Sequence, residues 1–168
     1  MSFKGEFKVA GNTYEVIQCH VPLSQKYDQR GRPSSGVHSG RIRIMLDGTA
    51  DGALGSWMAD PTKKQDGQIL FYRTDQVDTV FKEVAFEGAY LMTLIESFTL
   101  DNESSSSLLL ETELINTDIG PDETKDGESL KNSFRDLLGC QQRTGRSYCM
   151  LLRISAEKIK IDGVEHTN

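Results

Sequence analysis

The sequence predicts a mainly β fold, an antiparallel two-sheet β-barrel or sandwich with one short helix and an inserted loop-helix segment. Apolar residues alternate at period two through most of the chain, and turn signals separate the alternating runs. The regular strand-helix-strand succession of a parallel sheet is missing. At 168 residues the chain suits one domain, 1–168, with an insertion at about 116–147.

Phe7 and Val9 run into Gly11-Asn12, read as a two-residue hairpin turn, and Tyr14 and Val16 resume the alternation. The apolar phase then shifts to Ile17, Cys19 and Val21, which predicts a bulge in a long second strand, and Pro22 limits further central pairing. Residues 24–40, SQKYDQRGRPSSGVHSG, lack any period and are rich in Gly, Ser, Pro and charge, so a long loop is expected there. Loops of that length inside a small domain usually carry function. Ile42, Ile44 and Leu46 then share one strand face. Leu54, Trp57 and Met58 fall at helical spacing between Asp51, an expected N-cap, and Pro61, an expected stop. Their spacing assigns them to the contact of helix with barrel rather than to a ligand pocket.

Asp66-Gly67 opens a strand over 69–73, and 84–98 reads as one long or two short strands with Phe86, Tyr90, Met92 and Leu94 available for burial. Alternation recurs at Leu108, Leu110, Thr112 and Leu114, at Met150, Leu152 and Ile154, and at Ile159 and Ile161, giving seven or eight strands in all. Between them, 116–128 is acidic and turn-rich. Leu130, Phe134, Leu137 and Leu138 then mark a helix over 129–139, with Gly139 as its C-cap.

The net charge of −6 opposes non-specific binding to nucleic acid or anionic membranes. A start of MSFKGEFKVAG has neither a basic segment nor an apolar core after it, so no signal peptide is expected, and no apolar run is long enough to span a bilayer. Cys19, Cys140 and Cys149 read as free thiols. Neither nucleotide-binding glycine pattern occurs. Cys19 and His20 are strand neighbours that face opposite sides, so they form no catalytic pair. His20, His38 and His166 show no zinc-ligand spacing with the cysteines, and the carboxylates of 118–128 lack the order of a calcium loop. No catalytic residue, metal or cofactor is expected. Arg30, Arg32, Arg41 and Arg43 form the one local basic concentration, equally compatible with a solvated face and with an interface that meets carboxylates.

Four stretches, MSFKGEFKVAGNTYEVIQCHVPLSQKYDQRGRPSSGVHSGRIRI, WMAD, KEVAFEGAY and LLRISAEKIKID, together resemble the haemolysin-coregulated tube protein family of type VI secretion (Hcp, TssD), in its Bacteroidetes form. The resemblance covers residues 1 to about 100 and about 150 to 162. It implies a structural, non-enzymatic β-barrel subunit that closes into a homohexameric ring. Such rings stack into a tube that a contractile sheath drives out beneath the spike protein VgrG, with effector proteins in the lumen. It implies synthesis in the bacterial cytoplasm and export through the apparatus without a signal peptide. Asp28, Arg30, Gly31, Arg32, Pro33, Ser34, Ser35 and Gly36 match the family's loop that reaches the adjoining ring, and position alone suggests Ser24 and Gln25 for the lumen. The 116–147 segment departs from the short family members, which leaves room for a specialised cap or cargo carrier. Two other readings compete: an effector enzyme acting from that segment, and a monomeric barrel that binds a small apolar ligand.

Overall fold

The computed structural model describes residues 2–36, 38–39, 41–75, 79–99 and 125–167. The strands are β1 (Phe3–Val9), β2 (Asn12–His20), β3 (Leu23–Ser24), β4 (His38–Ser39), β5 (Ile42–Asp47), β6 (Gln65–Arg73), β7 (Val80–Phe98), β8 (Tyr148–Ser155), β9 (Lys158–Ile161) and β10 (Val164–Thr167). The helices are α1 (Ala53–Ala59) and α2 (Lys125–Thr144). Eight strands form one sheet in the order β10-β9-β7-β6-β1-β2-β5-β8, and a further pairing of β7 with β8 closes six of them into a barrel. Closure leaves those six without a free edge, and β9 and β10 extend the sheet from β7. The run at Leu108 to Leu114 and the acidic part of the insertion up to 124 lie outside the described residues.

Contacts divide the chain into two compact units, residues 1–94 with 152–168, and residues 95–151. In the first, Phe7, Tyr14, Ile42, Ile44, Leu46, Ile69 and Phe86 fill the interior. The Phe7 ring lies 6.0 Å from those of Tyr14 and Phe86. Ile42, Ile44 and Leu46 are spaced by two along β5, so the period-two pattern places them on one face. Helix α1 buries Leu54 and Trp57 and holds Met58 41% exposed, so of the three apolar residues expected inside, Met58 points outward. Its N-cap is Gly52, one residue later than expected. The Asp51 carboxylate still accepts the Ala53 N–H at 2.8 Å and the Tyr14 hydroxyl at 2.9 Å, which ties the start of the helix to β2.

The first hairpin turns at Ala10-Gly11, not Gly11-Asn12. Both turn residues have positive φ, 51° and 77°, and Val9 pairs with Asn12. The expected bulge in β2 lies between Val16 and Gln18. In β7 a second irregularity resets the burial phase. Gly67 pairs with Phe86 and Gln65 with Ala89, so β7 carries one extra residue, Gly88, at φ +61°. Val84 and Phe86 are buried before it, and Ala89, Leu91 and Ile95 after it. Met92 is therefore exposed, and Tyr90 and Leu94 are only half-buried.

In the second unit, α2 runs through Gly139 and ends at Thr144. Gly145, with φ +67° and its N–H donated to Gln141 O at 2.8 Å, is the C-terminal glycine. Leu137, Leu138, Cys140 and Gln141 are buried. Gln141 accepts the Ser97 hydroxyl at 2.6 Å and donates to Ser97 O at 2.9 Å and Ser147 O at 3.4 Å, so its buried amide is satisfied on both sides.

Candidate functional site

The loop expected at 24–40 is a partly ordered arm. β3 and β4 pair at its base, Leu23 with Ser39 and Ser24 with His38, and Tyr27 bridges to Pro33 farther out. The tip between them is organised by one side chain. Asp28 Oδ1 accepts the N–H groups of Arg30 at 2.8 Å and Arg32 at 2.9 Å, while the Asp28 N–H donates to Arg32 O at 2.9 Å and Asp28 O accepts the Gly31 N–H at 3.0 Å. An aspartate that caps its own turn is the local alternative to sheet pairing that short polar side chains offer. Gly31 takes φ +75°, a conformation in which a Cβ is strained. Ser34 N–H donates to Lys26 O at 2.8 Å, and Ser35 Oγ accepts the Lys26 N–H at 3.0 Å.

The consequence is a shaped tip whose side chains do not support one another. Every residue from Pro22 to Ser34 is exposed, and Tyr27 is 77% exposed. Arg30 and Arg32 form no ion pair among the described residues, and the Asp28 carboxylate beside them accepts their backbone N–H groups. Asp28, Arg30, Gly31, Arg32, Pro33, Ser34, Ser35 and Gly36 thus fall together on the outer arm. Ser24 ends its outgoing strand β3, and Gln25 follows directly after it. Tyr27 escaped the sequence reading. A large aromatic inside a polar, glycine-rich run was the available signal, since such a side chain has no core to join.

Gln18 and His20 meet at 2.9 Å, whereas Cys19 is half-buried and burial pushes its thiol up to about 12, so the adjacent thiol and imidazole remain separate groups. Among the described residues no three His, Cys, Asp or Glu side chains cluster as a metal site, and no helix is long and apolar enough to cross a membrane. Beyond the arm, Phe3 and Phe81 form an exposed aromatic pair, with ring centroids 5.0 Å apart.

Residues 1–121, which hold the arm and the barrel strands β1, β2, β5, β6 and β7, match the family model described as Hemolysin coregulated protein Hcp (TssD). The chain belongs to the Hcp family. Solved Hcp structures share its fold. Hcp1 from Flavobacterium johnsoniae is 24% identical with a TM-score of 0.67, and the match covers 98% of this chain and 99% of that one. Hcp1 from Salmonella typhimurium is 9% identical with a TM-score of 0.55, covering 95% and 86%. Hcp1 from the E. coli EAEC 042 pathovar is 7% identical with a TM-score of 0.56, covering 99% and 96%. No curated protein matches the chain. All of α2 and of β8 to β10 lies beyond the part of the chain that the Hcp family model matches.

Proposed function

We propose that this chain is a tube subunit of a type VI secretion apparatus. It closes into homohexameric rings, and the Asp28–Gly36 arm contacts the adjoining ring. Family membership supports the tube reading, and the arm supports the stacking role. A tip held in shape by its own backbone, with Tyr27, Arg30 and Arg32 all facing solvent, carries little ordering entropy into an association. Its cations suit carboxylates of a chain whose net charge is −6. The sheath, the spike protein VgrG and effectors carried in the lumen are the partners that this role brings with it, with Ser24 and Gln25 as lumen candidates. Export follows through the apparatus itself. The chain acts by assembly, without catalysis, and the 116–147 segment elaborates the barrel.

Reversing both charges, Arg30→Glu with Arg32→Glu, leaves ring formation intact and weakens stacking. Filaments of unchanged length from that variant refute the assignment of the arm.

A further inference from the structure

The C-terminal hairpin of the chain meets the arm at its base. β3 and β4 are two residues each, both residues of β3 are exposed, and a two-stranded ribbon of that size is not stable alone in water. The bonds that shape the tip, between Asp28 and Arg30 and Arg32 and between Lys26 and Ser34 and Ser35, run within the arm and do not fasten it to the barrel. β10 does reach it, since Cα atoms of β10 and β4 come within 8 Å of one another. β10 is the end strand of the eight-stranded sheet, paired with β9, and the six-stranded barrel closes without either of them.

The β9–β10 hairpin is itself fixed to the barrel at its turn. Asp162 and Gly163 take φ of 50° and 82°, the left-handed pair of a two-residue turn, and Ile161 pairs with Val164 across it. The Asp162 N–H donates to Glu83 O at 2.9 Å, and the Asp162 carboxylate accepts the Glu83 N–H at 2.9 Å, so one residue makes two bonds to the backbone of β7. Lys82 Nζ stands 3.2 Å from the same carboxylate. Along the hairpin, Lys158 pairs with Glu165 at 3.3 Å and Lys160 with Glu87 at 3.6 Å, exposed contacts that contribute little beside the turn.

We infer that the β9–β10 hairpin is the mount of the arm: β10 steadies the β3–β4 base, and Asp162 is a positioning residue that sets β10 by fixing the turn to β7. The mount is a property of the single chain, and its effect on assembly rests on the reading of the arm as the stacking element. An arm held at its base leaves the barrel in one direction, and less freedom is lost when it meets a neighbour. Freed at its base, the arm keeps the shape of its tip, because the Asp28 bonds are local, and loses its direction.

Hydrogen exchange of the full chain, read by mass spectrometry on its peptides, tests the mount independently of stacking. Asp162→Ala removes the acceptor for the Glu83 N–H and leaves alanine at a positive φ. It is expected to speed exchange of the β3–β4 amides about tenfold, while β1, β2 and β6 exchange as in the unmodified chain. Asp162→Asn keeps an acceptor oxygen and tolerates the positive φ, so it restores protection at the arm base. His166→Pro reaches β10 by a second route. The closing pair of a two-residue hairpin is hydrogen-bonded and such pairs alternate, which points the His166 N–H at Ile159 of β9, and proline removes that donor. It too is expected to open the β3–β4 amides. Arm amides that stay protected while those of β10 open overturn the inference, and so does an Asp162→Asn chain that behaves like Asp162→Ala. If Asp162→Ala loosens the barrel as well, His166→Pro decides. Open arm amides with stacks of normal length keep the mount and remove the stacking role. Protected arm amides in both variants, with stacks lost on reversal of Arg30 and Arg32, remove the mount and keep the stacking role.

Discussion

Replacing Asp28 with alanine separates the shape of the arm from its charge. The carboxylate accepts two backbone N–H groups, of Arg30 and Arg32, at 2.8 and 2.9 Å, beside the backbone bonds of Asp28 with Gly31 and Arg32 that the substitution leaves in place. Each bond is solvent-exposed and contributes about 1 kcal/mol, so Asp28→Ala removes about 2 kcal/mol of bias towards the shaped tip. That ordering cost then falls on association, and about 1.4 kcal/mol per decade makes each arm contact about 30-fold weaker. Six arms acting together at one ring junction multiply the loss. The barrel contains none of these groups, so its melting temperature stays within about a degree of that of the unmodified protein. Asp28→Asn keeps one carbonyl acceptor and recovers part of the effect. Stack length by negative-stain microscopy and amide exchange at Arg30 and Arg32 provide the readouts. Normal stacks with unprotected tip amides would refute the preorganisation argument, and a melting point several degrees lower would show that the arm supports the barrel.

Other variants probe the fold. Gly88→Ala costs about 1–2 kcal/mol, because φ +61° strains any residue with a Cβ. The Cβ would also meet the exposed Glu157 carboxylate at 2.6 Å, yet adding Glu157→Ala recovers little in urea denaturation, since the strain lies in the backbone. Gln141→Leu strands the Ser97 hydroxyl and carbonyl and costs about 3 kcal/mol, part of which Ser97→Ala restores in a double-mutant cycle. Stability falls in alkali. Burial raises the Cys19 thiol from an ordinary value near 9 to about 12, so above pH 9 the unfolded chain loses a proton that the folded chain keeps. Burial and the Asp51 hydrogen bond raise Tyr14 in the same direction above pH 10. Cys19→Ala flattens the part of the profile between pH 9 and 10, as read by thermal melts.

Period-two alternation made the barrel legible, because a strand with one buried face has no alternative register that keeps the same residues inside. The failures occur where one residue resets the geometry. Gly88 inverts the phase of β7, so Met92, read as core, faces out. The extension of α2 past Gly139 follows from the same ambiguity, since a glycine inside a helical pattern and one ending it read alike until Gly145 supplies the positive φ. At the arm, residue types announced turn chemistry and cations, whereas the Tyr27–Pro33 bridge and the Asp28 cap depend on spacing that only folding fixes.

Native mass spectrometry of the purified chain, with negative-stain images of the same sample, tests the tube reading most directly. The account predicts a dominant species of six times the chain mass and closed rings with an open centre. A monomer at micromolar concentration, or dimers that never close, would contradict it.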